Sequence, residues 1–216
     1  MSERPRMLVQ IVGSAAILAF VPGNVTKLVA FVIWWAVTFR RLSRKELLAG
    51  GAAMLLFTVM DFLTLRQGIF RFNHPDFLLM PCYEPLLWGY LLLHTMRMVG
   101  GPAPPRRTAR ALALAVLFSA PFLLLTDPTL LLASSAVLLL GALALFHEPL
   151  DLAYAGYMIL VGVLWEHTGV WSGQWSYPGT PLLGVPLWFA PMFGGIGLFA
   201  RRLVLPLLTD DARERV

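Results

Sequence analysis

Three acidic residues stand inside or at the edge of long apolar runs: Asp61, Glu84 and Glu166. A carboxylic acid in apolar surroundings can keep its proton at neutral pH, because desolvation penalises the charged form. Such an acid can donate that proton to a carbon–carbon double bond. Aromatic faces nearby would steady the resulting cation by about 2 kcal/mol or more when desolvated, and a second carboxylate would remove a proton or direct water. Aromatic residues are spaced for this. Asp61 is followed after seven residues by Gly68-Ile69-Phe70-Arg71-Phe72, and Glu166 after seven by Gly173-Gln174-Trp175-Ser176-Tyr177. In an extended segment the period of two places both rings on one face, so each segment could close the mouth of a cavity as a lid. Trp88, His167, Trp171 and Trp188 complete the candidate lining. The substrate of such a site would be a lipid-soluble isoprenoid, and the chemistry asks for neither cofactor nor metal.

Each residue also has a plainer reading. Asp61 and Glu166 could be wetted at a membrane interface or paired with an arginine; Arg66 and Arg71 stand close to Asp61 and Asp76 and could pair with these or hold an anionic headgroup or diphosphate. Glu84 opens a helix, where the macrodipole favours a carboxylate. His167 is rotated about 100° from Glu166 on a helix, so both cannot point squarely inward. Trp and Tyr also collect at headgroup level as an aromatic belt. His147, Glu148 and Asp151 read as a solvated loop rather than a metal site, and Gly194-Gly195-Ile196-Gly197 as small residues that let helices approach.

The surroundings follow from composition. Of 216 residues, 58% are hydrophobic and 13% charged, whereas a soluble domain carries about 25% charged residues. Lipid must be the solvent. The single Cys82 excludes an internal disulfide, and the net charge of +5 does not signal nucleic acid, since the basic residues fall at the ends of apolar runs. Eight helices are predicted, near 7–21, 25–39, 47–65, 84–99, 110–126, 129–146, 150–168 and 185–205. With an even number of spans and the N-terminus inside, fourteen Lys and Arg residues gather on the inner side and three (Lys27, Arg66, Arg71) outside. That asymmetry places both termini in the cytoplasm. The expected fold class is an all-α polytopic membrane helix bundle in two tandem four-helix repeats, 1–105 and 106–216. The repeat rests on an offset of 105: Asp61 aligns with Glu166, Gly68 with Gly173, Phe70 with Trp175, Phe72 with Tyr177, Pro81 with Pro186, Gly89 with Gly194 and Arg97 with Arg202. Nothing in the sequence speaks to oligomeric state.

The stretch from Glu166 through Gly169, Gly173, Trp175 and Tyr177 to Gly184-Val185-Pro186-Leu187-Trp188 resembles the integral-membrane carotenoid-biosynthesis proteins, namely the carotenoid hydratases and membrane-type lycopene cyclases. Asp61, Gly68-x-Phe70-x-Phe72 and Pro81-x-x-Glu84 resemble the lycopene cyclase repeat, and more loosely the membrane terpene cyclases. Tyr83 stands where that motif has its first acid, and Phe189 stands opposite Glu84. The resemblance implies cofactor-independent cyclisation, hydration or isomerisation, with Asp61, Glu84 and Glu166 catalytic. A transporter or lipid-binding protein, and a non-catalytic membrane subunit, are the competing expectations.

Overall fold

Long stretches of leucine, valine and alanine without a helix breaker fold as helices in lipid, where every backbone group must be satisfied internally. The computed structural model describes residues 3–105, 108–179 and 183–209. Among these, eight helices follow in order: α1 Glu3–Phe20, α2 Asn24–Phe39, α3 Arg44–Arg66, α4 Glu84–Val99, α5 Thr108–Leu124, α6 Pro128–Phe146, α7 Pro149–Trp171 and α8. Helix α8 runs from Phe189–Phe199 through a π-helical turn, Ala200–Val204, to Leu205–Thr209. The chain is thus an all-α polytopic membrane protein. Helices α3, α6 and α8 are each long and apolar enough to cross a bilayer, and Met7–Phe20, α2 and α5 are shorter apolar helices. Of the basic residues that marked the inner side, Arg106, Arg107, Arg213 and Arg215 lie outside the described residues.

Local chemistry sets the helix ends. Ser43 and Glu46 form a reciprocal capping box at the start of α3, satisfying two backbone donors that have no partner within the helix. Asp127 accepts from the backbone N–H groups of Thr129 and Leu130 at 2.9 Å, with Pro128 next in the chain. Gly68 and Gly173, at φ 72° and 71°, end α3 and α7 in the left-handed conformation that carries no Cβ penalty in glycine. The same two bonds close both ends. Gly68 N–H donates to Leu65 and Ile69 to Thr64; Gly173 donates to Val170 and Gln174 to Gly169. This is the Schellman pattern, built twice on residues 105 apart.

Beyond each glycine the chain extends into a two-residue strand, β1 Arg71–Phe72 and β2 Trp175–Ser176. The strands pair antiparallel, Arg71 facing Ser176 and Phe72 facing Trp175. The two expected aromatic lids are therefore one structure.

The chain divides into two compact units. The first contains 1–94 and 163–186, the second 95–162 and 187–216. Each unit draws on both sequence halves, because the division falls within α4 and within α7. In the second unit α6 packs on α8, where a Cβ on Gly194 would lie 2.7 Å from Leu139, and further glycines of α8 let α7 and α5 approach. A Cβ on Gly197 would lie 2.4 Å from the Tyr154 carbonyl, and one on Gly195 would lie 2.2 Å from the Phe118 ring. On α3, by contrast, Leu48, Leu55 and Leu56 are more than half exposed, as expected of a surface solvated by lipid.

Candidate functional site

Asp61 from α3, Glu84 from the start of α4 and Glu166 from α7 all belong to the first unit. Asp61 and Glu84 lie near enough to Glu166 for its charge to act on theirs. Glu84 and Glu166 are buried at 6% and 7% exposure, and Asp61 is partly exposed. No described Lys or Arg forms an ion pair with any of the three, which corrects the expected pairing with Arg66 and Arg71. Arg66 lies instead over the Phe62 ring at 5.9 Å, and Arg71 Nε donates to Ser176 Oγ at 3.2 Å.

Neutral donors hold two of the acids. Trp88 Nε1 donates to Asp61 Oδ2 at 2.6 Å, its indole stacked on Phe57 with centroids 4.5 Å apart. Glu166 Oε2 accepts from Trp175 Nε1 at 2.9 Å and from the Tyr177 hydroxyl at 2.6 Å. Burial, with Glu166 adding to it, pushes the Tyr177 phenol well above its usual range, so this hydroxyl keeps its proton and donates. The two sequence halves supply these donors unequally. Trp175 and Tyr177 align with Phe70 and Phe72, and Trp88 aligns with Phe193, none of which can donate. The third acid is different. Glu84 Oε2 is buried with no hydrogen-bond partner, an arrangement that costs about 1–3 kcal/mol in a protein interior.

The strand pairing brings four rings together. Phe72 meets Trp175 at 5.6 Å, Phe70 meets Tyr177 at 5.7 Å, and Phe70 meets Phe72 at 5.5 Å. Gly169 makes room for this layer, since a Cβ there would lie 2.0 Å from the Trp175 ring. The sequence held a signal for that glycine, three residues after Glu166 and so near its helical face, but not for the indole that fills the space. Three other expected lining residues are elsewhere. Trp171 is 74% exposed, its ring meeting Phe20 edge-on at 6.1 Å. His167 Nδ1 bonds back to the Val163 carbonyl of its own helix at 2.9 Å. Trp188 belongs to the second unit, where its ring packs against Phe122 at 5.9 Å.

Sequence reasoning missed two polar groupings. In the first unit, the Gln10 carbonyl accepts from Trp34 Nε1 at 3.0 Å and from the Tyr90 hydroxyl at 3.3 Å, while His94 Nε2 bonds the Met7 carbonyl at 2.9 Å. In the second, Asp151 is 1% exposed, which corrects its reading as part of a solvated loop. It pairs with Arg201 and Arg202, both buried, and Glu148 pairs with the same two arginines at 2.7 and 3.0 Å. Arg202 also lies over the Phe146 ring at 4.2 Å. Among the described residues no three His, Cys, Asp or Glu side chains group as a metal site.

The arrangement of these helices has been seen before. Two crystal structures of MvINS match it. One, of a cross-linked trimer, has a TM-score of 0.64 at 17% identity, covering 79% of this chain and 97% of MvINS. The other, described as a mycobacterial Insig homolog from Mycobacterium vanbaalenii, has a TM-score of 0.61 at 17% identity, with 76% and 96% covered. The chain shares the MvINS fold. No family model matches it, and no curated protein sequence matches it.

The MvINS likeness corrects the expected kinship. The fold neighbours are an Insig homolog rather than lycopene cyclases or carotenoid hydratases. The expectations of a cyclase, hydratase or isomerase, and of an enzyme, are withdrawn with it. There is a physical reason for the misleading motif. Its glycines are needed to end α3 and α7, and its alternating aromatics form the faces of β1 and β2. Both would recur wherever two membrane helices end in paired strands.

Proposed function

We propose that the chain is a non-catalytic membrane protein that binds an apolar ligand at the Asp61–Glu84–Glu166 group and acts as a binding or regulatory subunit. The observation carrying this reading is the buried, unpartnered Glu84 Oε2 beside two carboxyls already held by indole and phenol donors. A ligand hydroxyl or amide N–H would relieve that atom. The ligand is a membrane lipid or an isoprenoid alcohol, apolar along its length and polar at one end. The MvINS fold supports the non-catalytic part of the reading.

The topology and repeat belong to this reading as well. An even number of helices and the crowding of Lys and Arg on one set of turns support cytoplasmic termini. Two Schellman ends 105 residues apart, and a strand register that sets Arg71 opposite Ser176, support tandem halves related by a local two-fold.

Thermal unfolding of the purified protein in nanodiscs tests the ligand. A long-chain isoprenoid alcohol should raise the midpoint, by about 2.7 kcal/mol of stability at a hundredfold excess over Kd. The parent hydrocarbon should not, and Glu84→Leu should abolish the response. Equal effects of alcohol and hydrocarbon, or recovery of a chemically altered ligand, would overturn the proposal.

A further inference from the structure

A cavity of about 440 Å³ opens in the first unit among Gly23, Asn24, Lys27, His74 and Gln174. None of the three acids lines it. Lys27 is 5% exposed, and the carboxylates of the described residues form no ion pair with it. Its ammonium lies 5.7 Å above the Tyr83 ring, and Tyr83 in turn donates to Gln174 Oε1 at 3.0 Å. A buried cation without a counter-charge is costly, so the residue asks for an anion.

The start of α2 adds to the demand. Gly23, at φ 72°, precedes the helix and offers no side chain to cap it, so the first backbone N–H groups of a 16-residue helix end at the cavity with the positive end of its dipole. Asn24 is the first residue of the helix rather than its cap, and its Nδ2 donates to the His74 carbonyl at 2.7 Å and Asp76 Oδ2 at 2.9 Å. Asp76 itself is engaged a second time, Oδ1 accepting from Cys82 N–H at 2.6 Å.

The geometry points to a binding site for a phosphate group, held between the Lys27 ammonium and the N-terminus of α2. Helix N-termini and lysine together are a recurrent phosphate clamp, and a cavity of this size admits a whole polar headgroup. Phe20 and Val25, 71% and 68% exposed, flank the same turn and offer apolar surface to acyl chains, which favours an anionic phospholipid over free phosphate. The site is independent of the carboxyl group proposed above, as the two share no lining residue.

Native mass spectrometry of the whole protein, from nanodiscs of phosphatidylcholine with and without phosphatidylglycerol, tests this. The unsubstituted protein should retain phosphatidylglycerol, and Lys27→Met should weaken that retention roughly tenfold or more, the weight of one charge-assisted contact. Arg66→Gln, which removes a different cation outside the cavity, should leave it intact. Inorganic phosphate that stabilises the protein, but not Lys27→Met, would support the site with the free anion as its source. Equal retention by Lys27→Met, or equal loss with Arg66→Gln, would overturn the site. Should Lys27→Met not fold, a headgroup-photoreactive phosphatidylglycerol on the unsubstituted protein decides: cross-links at residues 20–27 and 72–76 are expected, and cross-links confined elsewhere would overturn it.

Discussion

Each unit gathers acids, and the two groups are satisfied by opposite chemistry. In the second unit Asp151 and Glu148 meet Arg201 and Arg202, two charges against two. In the first, Asp61 and Glu166 accept from Trp88, Trp175 and Tyr177, with no ion pair among the described residues, and Glu84 keeps an unbonded oxygen. Matched buried charges fasten the second group, although Arg201 Nε is left without a hydrogen-bond partner, and breaking the network strands a charge. Acids held by neutral donors tolerate change and can accept one more bond. The comparison separates a structural fastening from a receptive site, although both are made of the same residue type.

The largest effect is expected where the charges are matched. Asp151→Asn should cost about 3–5 kcal/mol, because Arg201 and Arg202 lose their closest counter-charge while buried; thermal unfolding in detergent reads this. Next comes Gly169→Ala, whose Cβ collides with Trp175. Overpacking of this kind costs about 1–3 kcal/mol, and a changed tryptophan emission should accompany it as the indole leaves Glu166. Glu166→Gln should be milder, within about 1 kcal/mol, since the amide oxygen still accepts from Trp175 and Tyr177. If Glu166→Gln unfolds the protein as badly as Asp151→Asn, the distinction between the groups is wrong.

The smallest effect is a pH dependence. Burial alone would push the Glu148 carboxyl up, but Arg201 and Arg202 outweigh it and hold the group below its usual range. Its folded value is thus lower than its unfolded one, so its contribution is present above the unfolded value and fades as pH falls through the folded one. Midpoints measured down an acid series should decline in that window, and Glu148→Gln should flatten the decline.

Hydropathy and helix punctuation are local, additive properties, so the eight helices were legible from residue order alone, with ends displaced by a few residues. The 105-residue offset raised the expectation that Asp61 and Glu166 face one another; it holds no counterpart of Glu84, since Phe189 stands at that position. What satisfies each acid was not legible. Trp88 lies 27 residues from Asp61, and Arg201 lies 50 from Asp151; nothing in either neighbourhood announces the other. Trp171 and Trp175 are four residues apart, yet one faces outward and the other is buried on Glu166, because α7 ends between them and the strand that follows turns the second indole inward. Side-chain direction beyond a helix end depends on which segment pairs with it. That choice is made only when distant parts of the chain pack, and here it decided which acids were fastened and which were left able to bind.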